Sequence, residues 1–165
     1  MITGIYAGTF DPITNGHLDI IKRSLHFCDR IIIAIGINPS KTTMFSDKSR
    51  MSLIGEALDQ ILIPSHQSLS VSSFNGLLVE YAREVQADIL IRGVRSVSDF
   101  EYEINLANIN RTLMPSLETV FLPTSPELAV VSSSMVKEIA KHGGDISKFV
   151  PDHVREAMQL LYTKV

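Results

Sequence analysis

The sequence predicts an α/β fold, a Rossmann-like open sheet of five parallel strands with helices on both faces. Short apolar runs rich in Ile and Val alternate with longer amphipathic stretches along the chain, the pattern of parallel strands joined by crossover helices. One run, Arg30 to Ile37, is apolar on both faces, as a central parallel strand must be. A turn-rich segment with two glycines, Gly8 to His17, directly follows the first apolar run. At 165 residues, 45% hydrophobic and 20% charged, the chain can bury a sizeable core, and no composition shift marks a linker. Residues 1–165 therefore read as a single domain.

The elements follow in order. Strands are expected at Thr3 to Ala7, Arg30 to Ile37, Leu69 to Ser72, Ile89 to Ile91 and Thr119 to Leu122, each a short β-branched or aliphatic run. The first helix carries Leu18, Ile21, Leu25 and Cys28 on one stripe. A second follows a Ser46 or Asp47 cap with Met51, Ile54, Leu58 and Ile61, and a third follows Asn75 with Leu77, Leu78, Tyr81, Ala82 and Val85. Gly143-Gly144 stops a further helix, and the last begins after Pro151 and runs through Val154, Ala157, Met158 and Leu161. No internal repeat or low-complexity segment is present.

Charge and cysteine content narrow the function. A net charge of -3 and a pI near 5.9 argue against nonspecific nucleic-acid binding, which requires a basic surface to displace counterions. Phosphate recognition, if present, is local. The single cysteine, Cys28, excludes an internal disulfide and suits a reducing, cytoplasmic setting. The N-terminus has no basic signal region, and no run of about 18 apolar residues offers a membrane span. His26, His66, His142 and His153 lack acidic or cysteine partners at metal-ligand spacing and read as structural or solvated.

In an open parallel sheet, ligands bind beyond the carboxyl ends of the strands at the switch in strand order. Four expected strand ends carry suitable chemistry: Gly8 to His17; Asn38-Pro39-Ser40-Lys41; Arg92-Gly93-Val94-Arg95; and the run ending Val131-Ser132-Ser133-Ser134-Met135-Val136-Lys137. Glycine permits close backbone approach to a phosphate, and a helix N-terminus offers unpaired N–H groups and positive dipole. Arg92 and Arg95 present fork-shaped donors, although pairing with Asp99, Glu101 or Glu103 is the competing account. Asp11-Pro12 and Asn15-Gly16 are also ordinary turn dipeptides, and Ser132 to Ser134 suit a helix cap as well as a phosphate.

The string Thr14-Asn15-Gly16-His17 resembles the T/H-x-G-H signature of the nucleotidyltransferase superfamily. Together with Tyr6 to Pro12, Asn38 to Lys41, Ile91 to Arg95, Asp99-Phe100-Glu101-Tyr102-Glu103, Asn110 to Pro115 and Val131 to Lys137, it makes the chain similar over essentially its whole length to the bacterial phosphopantetheine adenylyltransferase family. That resemblance implies one nucleotidyltransferase domain that transfers the adenylyl group of ATP to 4'-phosphopantetheine, yielding dephospho-coenzyme A and pyrophosphate without a covalent intermediate. It implies that His17 stabilises the transition state, that Thr9 lies between the substrates and that Phe10 touches the nucleotide. Lys41 and Arg92 would hold the acceptor phosphate, with Leu78 along the pantetheine arm. Gly93, Val94, Arg95 and Glu103 match nucleotide-binding positions, and Leu128, Ala129, Val130, Val131, Ser132, Ser133 and Ser134 would cover adenine and phosphates. The resemblance further implies Mg2+ carried by ATP phosphates and water rather than by protein ligands, a homohexamer, and coenzyme A as a feedback inhibitor.

Two departures from the family pattern stand out. Ala7 replaces a frequent proline, and Thr124 to Ala129 lacks the aromatic residue of the usual loop. A sister nucleotidyltransferase using another acceptor would keep His17 and the serine run but differ around Lys41, Leu78 and Arg92. A noncatalytic nucleotide sensor would bind ATP without turning it over.

Overall fold

The computed structural model of the protein describes residues 1–163. Five parallel strands, β1 (Thr3–Gly8), β2 (Arg30–Gly36), β3 (Ser68–Phe74), β4 (Ile89–Val94) and β5 (Glu118–Pro123), form one sheet in the order β3-β2-β1-β4-β5. Chain order runs outward from β1 to β3 on one side and resumes with β4 on the other. The topological switch point therefore lies between the carboxyl ends of β1 and β4.

Alternation along the strands divides the core. Tyr6, Ile31, Ile33, Ile35 and Ile91 face one side, where α1 (Asn15–Ser24), α2 (Asp47–Leu58), α5 (Ser133–Lys141) and α6 (Asp152–Thr163) cover them with residues such as Ile20, Ile54, Val136 and Met158. Ile5, Ala7, Ile32, Ala34 and Leu90 face the other, covered by Val79, Tyr81 and Ala82 of α3 (Leu78–Glu84). Helices thus lie on both faces, as the alternating pattern predicts.

Several boundaries differ from the sequence reading. β4 continues through Arg92 and Gly93, which pair with Phe121 and Leu122, so Arg92 is a strand residue rather than the first residue beyond the strand. α1 ends at Ser24, and Cys28 lies past it, buried beneath Gly4, where an added Cβ would approach Cys28 Sγ to 2.8 Å. Burial first, then Asp29 and Asp88, raise the Cys28 thiol to about 11, an inert group. Ser46, not Asp47, caps α2, accepting from the Ser49 N–H at 3.2 Å. Asn75 does not cap α3; Leu77 takes that place without a side-chain bond, and Ile61 falls beyond the end of α2. The longest helix, α4 (Val97–Leu113), is absent from the sequence reading. None of its 17 residues is buried, and its half-buried face mixes Ile104, Leu106 and Ala107 with Asp99, Glu103 and Asn110, so no clean apolar stripe marks it. Its legible signal is the Ser96-x-x-Asp99 cap, in which the Ser96 hydroxyl accepts from the Asp99 N–H at 3.2 Å.

Candidate active site

The turn between β1 and α1 is held from three sides. Asp11 is buried, accepts the N–H groups of Met44 and Phe45 at 2.8 and 2.9 Å, and pairs with Lys137 Nζ at 3.0 Å. Burial alone would raise this carboxyl, but the two N–H donors and Lys137 outweigh it and hold its pKa below the ordinary value. Arg50, 2% exposed, donates Nη1 to the Thr9 carbonyl at 2.6 Å and pairs with Asp47. Ser133 Oγ donates to the Pro12 carbonyl at 2.8 Å, tying the start of α5 to the same turn. Between these ties Phe10 adopts φ 47°, a left-handed conformation uncommon outside glycine. An added Cβ at Gly8 would stand 3.1 Å from the Phe10 ring, which explains the glycine there.

His17 sits in the first turn of α1. Thr14 caps that helix, and the Thr14 N–H donates to His17 Nδ1 at 3.0 Å. An acceptor at Nδ1 leaves the proton of the neutral ring on Nε2. Burial first, then the Arg95 charge, lower the His17 pKa to about 4, so the ring is neutral near pH 7. Phe10 packs edge-on against it at 5.0 Å between centroids. The result is an oriented, uncharged N–H donor.

His17 lines one of three neighbouring cavities. The first, of about 300 Å³, is lined by His17, Thr9, Phe10, Arg92, Gly93, Arg95 and the run Val131 to Ser134. The N-termini of α1 and α5 both open into it, and first-turn N–H groups have no intrahelical partners. Its wall bears two arginines and no carboxylate, a lining suited to an anion. The second cavity, of about 570 Å³, contains Lys41, Asn38 and Arg50 and shares Thr9 with the first. The third, of about 170 Å³, holds Leu78, Glu103 and Asn110 and shares Arg92 with the first.

The sequence-derived candidates therefore separate by place. Thr9, Phe10, His17, Arg92, Gly93, Arg95, Val131, Ser132, Ser133 and Ser134 converge on one cavity, while Lys41 and Leu78 line the adjoining ones. Phe10 is buried in the core, so its ring supports the imidazole as well as facing the cavity. Val94 lies on none of the three walls; its carbonyl accepts the Thr124 N–H at 2.9 Å. Leu128 closes the 3-10 turn Pro126–Leu128, Ala129 follows it, and Val130 is exposed; none of the three lines the His17 cavity. Glu103 lines the Leu78 cavity instead and binds Arg92 with both oxygens. Arg95 Nε donates to Asp99 at 3.0 Å. The pairing weighed against phosphate binding is thus present for both arginines.

Sequence reasoning missed Asp11, Arg50 and Lys137. Asp11 reads as half of a turn dipeptide and Lys137 as the end of the serine run, while Arg50 carries no local signal. Only contacts spanning 33, 41 and 126 positions reveal their work.

A family model described as cytidylyltransferase-like matches residues 5–139. A phosphopantetheine adenylyltransferase of Alkaliphilus metalliredigens (strain QYMF) is 51% identical over 158 residues, 96% of this chain and 98% of that protein. One from Caldanaerobacter subterraneus subsp. tengcongensis is 48% identical over 164 residues, 99% of each. Among solved structures, a putative nicotinate-nucleotide adenylyltransferase from Vibrio parahaemolyticus matches with TM-score 0.67 at 18% identity, covering 100% of this chain and 98% of that one. The Plasmodium falciparum nicotinic acid mononucleotide adenylyltransferase complexed with NaAD matches with TM-score 0.70 at 14% identity, covering 98% and 95%. These two structures share the fold. Near-half identity over almost every residue is a closer relation: the chain belongs to the phosphopantetheine adenylyltransferase family of the cytidylyltransferase-like nucleotidyltransferases.

Proposed function

We propose that this protein transfers the adenylyl group of ATP to 4'-phosphopantetheine in coenzyme A biosynthesis, giving dephospho-coenzyme A and pyrophosphate. An oxygen of the acceptor phosphate attacks the α-phosphorus in line, the new P–O bond forms as the α–β bridging bond breaks, and pyrophosphate leaves. Such a reaction asks the protein for positioning and for donors around developing charge, not for a nucleophile. His17 Nε2–H donates to the α-phosphate as charge builds there. Lys41 and Arg92 hold the acceptor phosphate, Leu78 borders the pantetheine arm, and Thr9 stands between the substrates. Arg95, Gly93 and the start of α5 take the nucleotide. The observation that carries this reading is the arrangement of neighbours: the anion-suited cavity of His17 shares Thr9 with the cavity of Lys41 and Arg92 with that of Leu78.

Mg2+ enters this scheme with ATP. The His17 cavity wall has no carboxylate, and among the described residues no group of three or more His, Cys, Asp or Glu is placed to hold a metal. The donor set does not suit a resident ion, so phosphate oxygens and water would coordinate it. Coenzyme A carries both the adenylate and the pantetheine ends of the product and would compete as a feedback inhibitor. Assembly into a homohexamer would cover α4, where Val97, Tyr102 and Ile109 are exposed. Among the described residues no helix is long and apolar enough to cross a membrane. A cytoplasmic setting suits the unpaired Cys28.

The test is pyrophosphate release from Mg-ATP with 4'-phosphopantetheine, pantetheine, nicotinamide mononucleotide or no acceptor. Release only with phosphopantetheine is expected. Release with nicotinamide mononucleotide instead would move the chain to another acceptor, and ATP binding without release would make it a sensor.

A further inference from the structure

We infer that Asp19 is a positioning residue for the nucleotide, acting through the loop between β5 and α5 without touching the ligand. The inference rests on the proposed adenylyl transfer, from which it takes ATP as the ligand of the His17 cavity. Of the residues between the end of β5 and Val131, Thr124 alone lies on the wall of that cavity. The residue on each side of it is held by α1. The Ser125 hydroxyl donates to Asp19 Oδ2 at 2.9 Å, and Arg23 Nη1 donates to the Pro123 carbonyl at 2.6 Å. Arg23 Nη1 also donates to Asp19 Oδ2 at 3.2 Å, so the two side chains, one helical turn apart, form a single grip. Thr124 itself donates its N–H to the Val94 carbonyl at 2.9 Å, one residue past the last β4–β5 pair.

The loop gains from such a tie. Thr124 to Ala129 contains no aromatic side chain, and Pro126–Leu128 is a single 3-10 turn without a buried residue. A loop ordered before the ligand arrives spares the binding step the cost of ordering it. Neither Asp19 nor Arg23 lies on the cavity wall, so the carboxylate does not face the anion, and the guanidinium beside it offsets its charge. α1 carries His17 in its first turn, two residues before Asp19. One helix thereby places the N–H donor of the reaction and keeps the Thr124 part of the wall in register with it.

The test is equilibrium dialysis of ATP against the full chain, together with steady-state kinetics with both substrates varied, for Asp19→Ala, Asp19→Asn, Ser125→Ala and the double variant of Asp19→Ala with Ser125→Ala. Asp19→Ala and Ser125→Ala are each expected to raise the Kd and the KM for ATP about fivefold, the scale of one hydrogen bond, with the KM for phosphopantetheine within twofold. The double variant should bind ATP less than twofold more weakly than Asp19→Ala, because both substitutions remove the same bond. Asp19→Asn, which keeps an acceptor oxygen for the Ser125 hydroxyl, should fall between Asp19→Ala and the natural protein, and it carries the test with Ser125→Ala if Asp19→Ala does not fold. An unchanged Kd for ATP in both single variants would overturn the inference. So would a lowered kcat with both KM values unaltered, which would move the effect to His17, or effects that add in full in the double variant. If the natural protein binds ATP but does not use phosphopantetheine, the reading of the reaction falls, while the Kd values still decide whether Asp19 holds the nucleotide wall.

Discussion

The turn Gly8 to His17 and helix α4 border the same group of cavities, yet they are secured in opposite ways. The turn is cross-tied by buried groups from distant parts of the chain: Asp11 to Met44, Phe45 and Lys137, Thr9 to Arg50, and Pro12 to Ser133. α4 has no buried residue and is joined to the end of β4 by the Arg92–Glu103 and Arg95–Asp99 pairs. Ties of the first kind are expensive to break, because a lost partner leaves a buried charge or N–H group unsatisfied. At the Arg95–Asp99 pair, with side chains 39% and 33% exposed, water replaces most of what is lost, whereas the Arg92–Glu103 pair is more shielded, at 23% and 12%. Damage to the turn should therefore reach chemistry and fold, while damage to α4 should alter affinity or assembly with the fold intact.

The sharpest test lies in the turn. His17→Ala should lower kcat roughly a hundredfold or more, the usual cost of one oriented transition-state donor, with the KM for ATP little changed; an unaltered turnover number would remove His17 from the reaction. Asp11→Ala should cost about 2 kcal/mol in urea unfolding, the scale of leaving two N–H groups and the half-buried Lys137 ammonium unmatched. A loss no larger than that of a surface substitution would erase the contrast with α4. Lys41→Ala, in the exposed loop of the second cavity, should raise the KM for phosphopantetheine about tenfold through one lost charge-assisted contact while leaving that for ATP unchanged.

Acid provides a probe without mutation. His17 is neutral in the folded protein down to about pH 4, against an ordinary value of 6.5, so between those values the unfolded chain binds the extra proton. Stability attributable to this group is complete above pH 6.5 and declines as pH falls through that window. NMR titration should find the His17 ring unprotonated at pH 5.5, and kcat should show no His17 inflection near 6.5. A ring that titrates near 6.5 would refute the buried-donor geometry. The smallest effect belongs to α4: Ile109→Ser, at a residue 55% exposed, should change the unfolding free energy of the isolated chain by less than about 0.5 kcal/mol. Its readout is the size of the assembly by light scattering, which should fall if copies pack on this helix.

Legibility in the sequence followed the same division. Central strands such as Ile31 to Ile35 and the strand–turn–helix start at Thr14 to His17 were readable because period, cap and motif are local patterns. α4 was not, since its half-buried face mixes Ile104 and Ala107 with Asp99, Glu103 and Asn110 rather than forming an apolar stripe, and its Ser96 cap was the one local sign. Arg92 was readable as a phosphate-facing arginine, but its bidentate hold by Glu103 was only one of several pairings that the spacing allowed. Val94 and Leu128 to Val130 show the reverse: matching a family string did not bring them to the His17 cavity wall.

By itself the sequence determined the sheet's alternating elements, the helix starts that face anions and the residue types available to bind them. These follow from side-chain period and backbone capping, which act over a few residues. The tertiary structure alone decided that Arg50 and Lys137 brace the turn, that burial keeps the His17 ring neutral, and that Thr9 and Arg92 each border two cavities. Hydrogen-bond partners, desolvation and shared walls depend on distances between residues tens of positions apart, which strand order and packing fix.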